Sequence, residues 1–229
     1  MKRYGQYCPV ARGAEILAER WTLLIIRELV WGEDRFNGIA RGLPGMSPSL
    51  LAARLRELQR AGLVRRDMVD GEPRYRLTEA GNELNPLLEL IGAWAVRWMH
   101  EIRPDEFDPT LLMLQIKREC RPARMPDKPT TVQIQFQDAL AGQRQWWLVL
   151  SRSGVDACDS YPGFPINVWL ETEVPTLTRI WMGDLTWSAA LRDETVRLTG
   201  DSAACRALPQ WLHGSPFAAV ERAATPLPR

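Results

Sequence analysis

Between positions 35 and 76 the chain holds nine arginines against four acidic residues (Glu57, Asp67, Asp70 and Glu72). That is a local balance of +5 in a protein whose net charge is +1. Guanidinium groups at this density suit phosphates, which they meet with paired hydrogen bonds. Within the stretch, "SPSLLAARLRELQRAGLVRR" (47–66) places Ser49, Ala52, Ala53 and Arg56 on one side of a helical wheel, opposite Leu51, Leu55, Leu58 and Gly62. Short side chains let a helix backbone approach base edges in a DNA major groove, and Arg56 there can reach a phosphate or a guanine. Arg74 and Arg76 alternate with Tyr75 and Leu77, so in a strand the two arginines point the same way. Arg35, Ser47 and Arg54 complete the candidate DNA contacts. For any one arginine taken alone, a solvated surface charge is the plain alternative.

Other chemistry is thin. The four cysteines (Cys8, Cys120, Cys158 and Cys205) form no CxxC pair, and His100 and His213 lie far apart, so neither a disulfide frame nor a metal centre is expected. There is no Gly-rich phosphate loop and no G-x-S-x-G, while Asp184 and Asp201 read as turn and cap residues; neither catalytic residues nor a cofactor is expected. Cys8 precedes Pro9 at the start of a helix, where backbone N–H groups and the helix dipole favour a thiolate. No apolar run approaches the roughly 20 residues that cross a bilayer, and "MKRYGQYCPVARG" lacks the apolar core of a signal peptide. The expected location is the cytoplasm, with no membrane partner.

The elements that must position these residues follow from local signals. A helix opens at Pro9 and runs to about Ala18, and a second covers "WTLLIIRELVWG" with Gly32 stopping it. A short helix at "RFNGIARGL" and the turn "PGM" precede the helix capped by Ser47, with Pro48 at its first position and Gly62 at its end. Two strands, "LVRRDMV" and "PRYRLT", are joined at Asp70-Gly71, a strong hairpin signal. Thr78 then caps one long helix, "EAGNELNPLLELIGAWAVRWMHEI", apolar around much of its circumference. Leu87, Leu90, Ile91, Trp94 and Trp98 on that helix are the candidate dimerisation face.

The Pro/Asp-rich break "RPDEFDP" sets a domain boundary near Pro104, giving domains 1–103 and 104–229. The second half carries thirteen Lys and Arg against fifteen Asp and Glu, so it lacks the basic excess of the first. It reads as α+β: a helix at "TLLMLQIKREC", strands "TTVQIQF", "QWWLVLS" and "INVWLET", helices "VPTLTRIWMG" and "TWSAALRD", a strand "TVRLT" and a last helix "DSAACRALPQWL". "QWWLVLS" is apolar on both faces and suits an internal strand.

Helix, short helix, turn, helix and hairpin in that order make a winged helix-turn-helix. Residues Cys8 to about Trp98 resemble the HxlR-type regulators, winged-helix proteins related to MarR. "CPVARGAEIL", "RWTLLIIREL", "RFNGIARGLPGMSPSLLAARLRELQRAGLVRR" and "YRLTEAG" carry the likeness in order and spacing. The resemblance implies a homodimer, held by the N-terminal helix and the helix after the wing, on a pseudo-palindromic operator in double-stranded DNA. Some members sense oxidants or electrophiles with a cysteine at the place of Cys8, which makes it a candidate redox sensor. The second domain, over about residues 107–217, is similar to the sterol carrier protein type 2 fold, in which a helix, strand and helix close an apolar tunnel over a mixed sheet. That likeness implies an apolar small-molecule ligand. Phe136, Trp147, Val149, Trp169 and Trp181 are the pocket candidates, chosen by alternation and aromatic weight; ordinary core is the alternative for each.

Two functions compete on these residues. One is a DNA-binding regulator with a ligand-sensing domain. The other is an apolar-ligand carrier whose winged helix serves for dimerisation or protein docking. The basic stretch and the small-residue face favour the first, since a docking helix more often shows aromatics or leucines there.

Overall fold

A computed structural model describes residues 4–99 and 101–227; residues 1–3, His100 and residues 228–229 lie outside that description. The chain divides into two compact units, Met1–Trp94 and Ala95–Arg229.

In the first unit, α1 (Pro9–Leu17) begins directly after Cys8, and α2 (Thr22–Val30) buries Ile25, Ile26 and Leu29. α3 (Phe36–Arg41) leads through a turn, with Gly45 at φ +82°, into α4 (Pro48–Arg60). The Ser47 hydroxyl accepts the Leu50 N–H at 3.3 Å, and Leu51, Leu55 and Leu58 are buried, so cap and periodicity together fold this helix. Gly62 ends it at φ +75°; the N–H groups of Gly62 and Leu63 return to the carbonyls of Gln59 and Leu58. β1 (Val64–Val69) and β2 (Glu72–Leu77) pair antiparallel, and the Asp70-Gly71 turn has φ of +53° and +78°, the twist a two-residue hairpin requires.

Beyond Thr78 the structure departs from the single helix read in the sequence. It has α5 (Glu79–Asn82), capped by the Thr78 hydroxyl, and then α6 (Asn85–Trp98). Pro86 accounts for the break. It has no N–H to offer the Asn82 carbonyl and its ring crowds that position, so the helix restarts with proline in its first turn.

The second unit is a five-stranded mixed sheet in the order β5-β4-β3-β6-β7, formed by β3 (Thr130–Phe136), β4 (Gln145–Ser151), β5 (Gly154–Cys158), β6 (Val168–Thr172) and β7 (Val196–Gly200). β3 and β6 run parallel and the other neighbours antiparallel. β4 is internal, as its two apolar faces require. β5 has no counterpart in the sequence reading: "GVDAC" is short and carries a glycine and an aspartate, and pairing with β4 makes it a strand. α7 (Pro109–Glu119), α8 (Val174–Met182), α9 (Trp187–Arg192) and α10 (Ser202–Trp211) contribute to one core with the sheet, in which Met113, Ile134, Leu148, Leu170 and Leu208 are fully buried.

The division between the units falls inside α6 and not at Pro104. The N–H groups of Ala223 and Leu227 donate to the carbonyls of Arg97 and Trp98 at 2.8 and 2.9 Å, so the C-terminal segment holds the last turn of that helix.

Candidate nucleic-acid interface

The outward side of α4 is built from Ser49, Ala52, Ala53 and Arg56. Ser49 and Arg56 are exposed, and the two alanines are half-buried. Ser47, the exposed N-cap, lies 3.2 Å from Ser49, hydroxyl to hydroxyl. Arg60 extends the same face one turn beyond Arg56, and its Nε reaches the Arg56 carbonyl at 3.4 Å. Arg35 is exposed at the N-cap of α3. In the wing, Arg65 and Arg76 are opposite each other across the hairpin and both are exposed, as is Arg66. Arg60, Arg65 and Arg66 are additions to the residues singled out from sequence; the four-residue step from Arg56 to Arg60 was the available signal.

Two of the expected DNA contacts, Arg54 and Arg74, are held in ion pairs within the protein. Arg54 donates to Glu57 Oε2 at 2.6 Å and to Glu19 Oε2 at 2.8 Å, with its side chain 18% exposed. The Glu57 hydrogen bond is the largest cause holding the Arg54 pKa above its ordinary value. Arg54 ties the middle of α4 to the corner after α1. Arg74 donates from Nη1 to Asp34 Oδ1 at 2.6 Å and is 15% exposed, so it faces the loop before α3. Arg76 keeps its place as an exposed wing residue.

The expected dimer residues differ among themselves. Leu90 is 68% exposed and Trp94 51%, Ile91 is exposed, and Leu87 is half-buried. Trp98 belongs to the second unit, where it is half-buried and its carbonyl accepts the Leu227 N–H. Cys8 is half-buried as the N-cap of α1, and its side chain makes no capping hydrogen bond.

The five pocket candidates do not share one space. Phe136 and Trp181 are fully buried in the core between helices and sheet. Gln133 is the cross-strand partner of both Trp147 and Trp169, so those two and Val149 point from the opposite sheet face. The doublet divides as its alternation demands. Trp146 enters the core, its indole N–H donating to the Gln143 carbonyl at 3.0 Å. Trp147 lies on the outer face with the Tyr161 ring edge-on at 6.2 Å, and Trp169, two strands away across Gln133 on the same face, is 41% exposed.

A short helix, a turn, a second helix with an arginine-bearing small-residue face and an arginine-edged hairpin define a winged helix-turn-helix, a module that binds DNA. The family described as HxlR-like helix-turn-helix matches residues 16–103. The chain is similar to the uncharacterized HTH-type transcriptional regulator YvaP of Bacillus subtilis, 38% identical over 99 residues that cover 42% of this chain and 92% of YvaP. It is 37% identical to the HTH-type transcriptional regulator YodB of Bacillus subtilis over 92 residues, which cover 38% of this chain and 82% of YodB. Among solved structures, the quinone-bound form of YodB from B. subtilis matches with 35% identity and a TM-score of 0.36, covering 40% of this chain and 99% of that one. The chain belongs to the HxlR-like helix-turn-helix family and is a DNA-binding regulator of transcription. No helix among the described residues is long and apolar enough to cross a membrane.

Proposed function

We propose that the chain acts as a homodimer that sets two copies of α4 into the major groove of a pseudo-palindromic operator, about 34–36 Å apart for successive turns. The observation that carries this reading is the outward face of α4, where Ser49, Arg56 and Arg60 stand free of the core that Leu51, Leu55 and Leu58 fill. Base edges meet the small residues, and Arg35, Arg65 and Arg76 take phosphates at the flanks. The apolar face of α6 around Leu90 and Trp94 supports a second copy as its cover. Enrichment of duplexes from a random-sequence library by the full chain tests the reading: a two-fold symmetric consensus is expected, and no enrichment would overturn it.

In this reading the second unit senses an apolar small molecule. Its mixed sheet with helices packed into one core supports the sterol-carrier likeness. The place proposed for such a ligand is the outer sheet face, where Trp147 packs against Tyr161 and Trp169 is 41% exposed; the buried indole N–H groups of Trp147 on that face and of Trp181 in the core both have no hydrogen-bond partner. Native mass spectrometry of the purified chain tests this, with a bound apolar compound expected and displaced by Trp169→Asp. Cys8 remains the thiol proposed to sense oxidants, on its place at the head of α1. Operator binding by Cys8→Ser that no longer responds to diamide is the expected result.

A further inference from the structure

Asp34, in the loop between α2 and α3, meets three consecutive residues of β2. Its Oδ1 accepts from Arg74 Nη1 at 2.6 Å, its Oδ2 lies 3.8 Å from Arg76 Nη2, and its backbone carbonyl accepts the Tyr75 N–H at 2.8 Å. Arg74 and Asp34 are both largely withdrawn from water, where salt screens a pair less than at an open surface. A two-stranded ribbon has little stability of its own, and this one is rooted in the core at Val64 and packs Tyr75 and Leu77 against it. The face carrying Arg65, Asp67, Arg74 and Arg76 depends on another hold.

We propose that Asp34 is a positioning residue for the wing: it sets the angle at which the hairpin leaves the helices and thereby aims Arg76, with Arg65 across from it, at the phosphates beside the groove that α4 enters. Arg74 acts through Asp34 and not on DNA. The proposal rests on the DNA-binding reading of α4. A carboxylate beside a polyanion is unfavourable unless it is neutralised, and Arg74 neutralises it at contact distance. Simple electrostatics and positioning therefore differ in sign. If Asp34 were merely a surface charge, removing it would tighten DNA binding; if it positions the wing, removing it weakens binding.

The experiment uses the full chain and the duplex it enriches from a random-sequence library. Asp34→Ala and Arg74→Ala are each expected to lose about tenfold in affinity with unchanged far-ultraviolet circular dichroism, and the charge swap Asp34→Arg with Arg74→Asp to recover most of it. Hydrogen exchange at the Tyr75 amide is expected to speed up in both single variants. Affinity for Asp34→Ala equal to or above the wild type, or a swap as weak as the single variants, overturns the proposal. If the wild-type chain enriches no duplex, the DNA reading fails separately. The Tyr75 amide then decides the clamp alone, and unchanged exchange in Asp34→Ala overturns it.

Discussion

The carboxylate of Glu28 occupies the space that a side chain on Gly42 would need. Glu28 is fully buried, and its Oε1 accepts from both Nε and Nη2 of Arg27, whose Nη2 also donates to the Gly42 carbonyl at 2.9 Å. Arg27 in turn lies over the Trp31 ring. The carboxylate is therefore a fixed wall, although it ends a flexible side chain.

That contact decides the sign of a substitution. Gly42 has φ −78° and closes α3 in the right-handed region, where alanine is ordinarily favoured over glycine by up to about 1 kcal/mol. Displacing a buried, paired carboxylate costs more, roughly 1–3 kcal/mol by analogy with overpacked cores. Gly42→Ala should lower the urea midpoint, and a raised midpoint would show that Glu28 has room to move.

On α4, Ser49→Glu should abolish binding to the enriched duplex while leaving the fold intact, because the residue is exposed and a carboxylate would meet base edges and phosphates. Arg60→Ala should weaken binding and make the salt dependence shallower by about one unit if this residue takes a phosphate. Gel-shift titration over a salt series measures both effects. Wild-type binding by a folded Ser49→Glu chain would remove α4 from the groove.

Much of the first unit was legible because its signals are local. Ser47, Pro48 and Gly62 bracket α4 within one stretch, and Asp70-Gly71 fixes the hairpin register by turn geometry. The break at Pro86 was also local, and the apolar run across it obscured it. Arg54 and Arg74 were beyond sequence reading for a different reason: their partners Glu19 and Asp34 lie 35 and 40 residues away and meet them only once the helices pack. The same holds for Trp146 and Trp147. Alternation sends them to opposite faces, but helices distant in sequence decide which face becomes the core.

The apolar face of α6 should be covered by a second copy. Leaving Leu90 and Trp94 in water forgoes roughly 1.5–3 kcal/mol for each large side chain that a partner could bury. Sedimentation at micromolar concentration should show a dimer, and Leu90→Glu with Trp94→Glu should give a folded monomer with weakened DNA binding. A wild-type monomer that binds the duplex tightly would leave this face without that role.

Cys120, at the end of α7, should be the slowest thiol to react and should make stability fall in alkali. It is buried, with its Sγ 3.7 Å from the Trp211 carbonyl, and burial, with a smaller contribution from the Glu119 charge, pushes its pKa from 9.0 up to about 12. Burial also raises the Cys158 and Cys205 thiols. The unfolded chain releases the Cys120 proton near pH 9, whereas the folded chain keeps it until about pH 12. Below pH 9 both states hold the proton and the full contribution of the neutral thiol is present. Between the two values the unfolded state holds fewer protons, so stability drops as pH rises, by at most about 1.4 kcal/mol per pH unit from this group. Other groups titrate in the same range, so the measurement is a difference: urea unfolding of wild type and Cys120→Ala through that window, with the variant losing less stability per unit. Iodoacetamide should modify Cys120 last, as unfolding exposes it. Equal alkaline slopes for the two chains, or early alkylation of Cys120 in the folded protein, would mean that the space under Trp211 admits water.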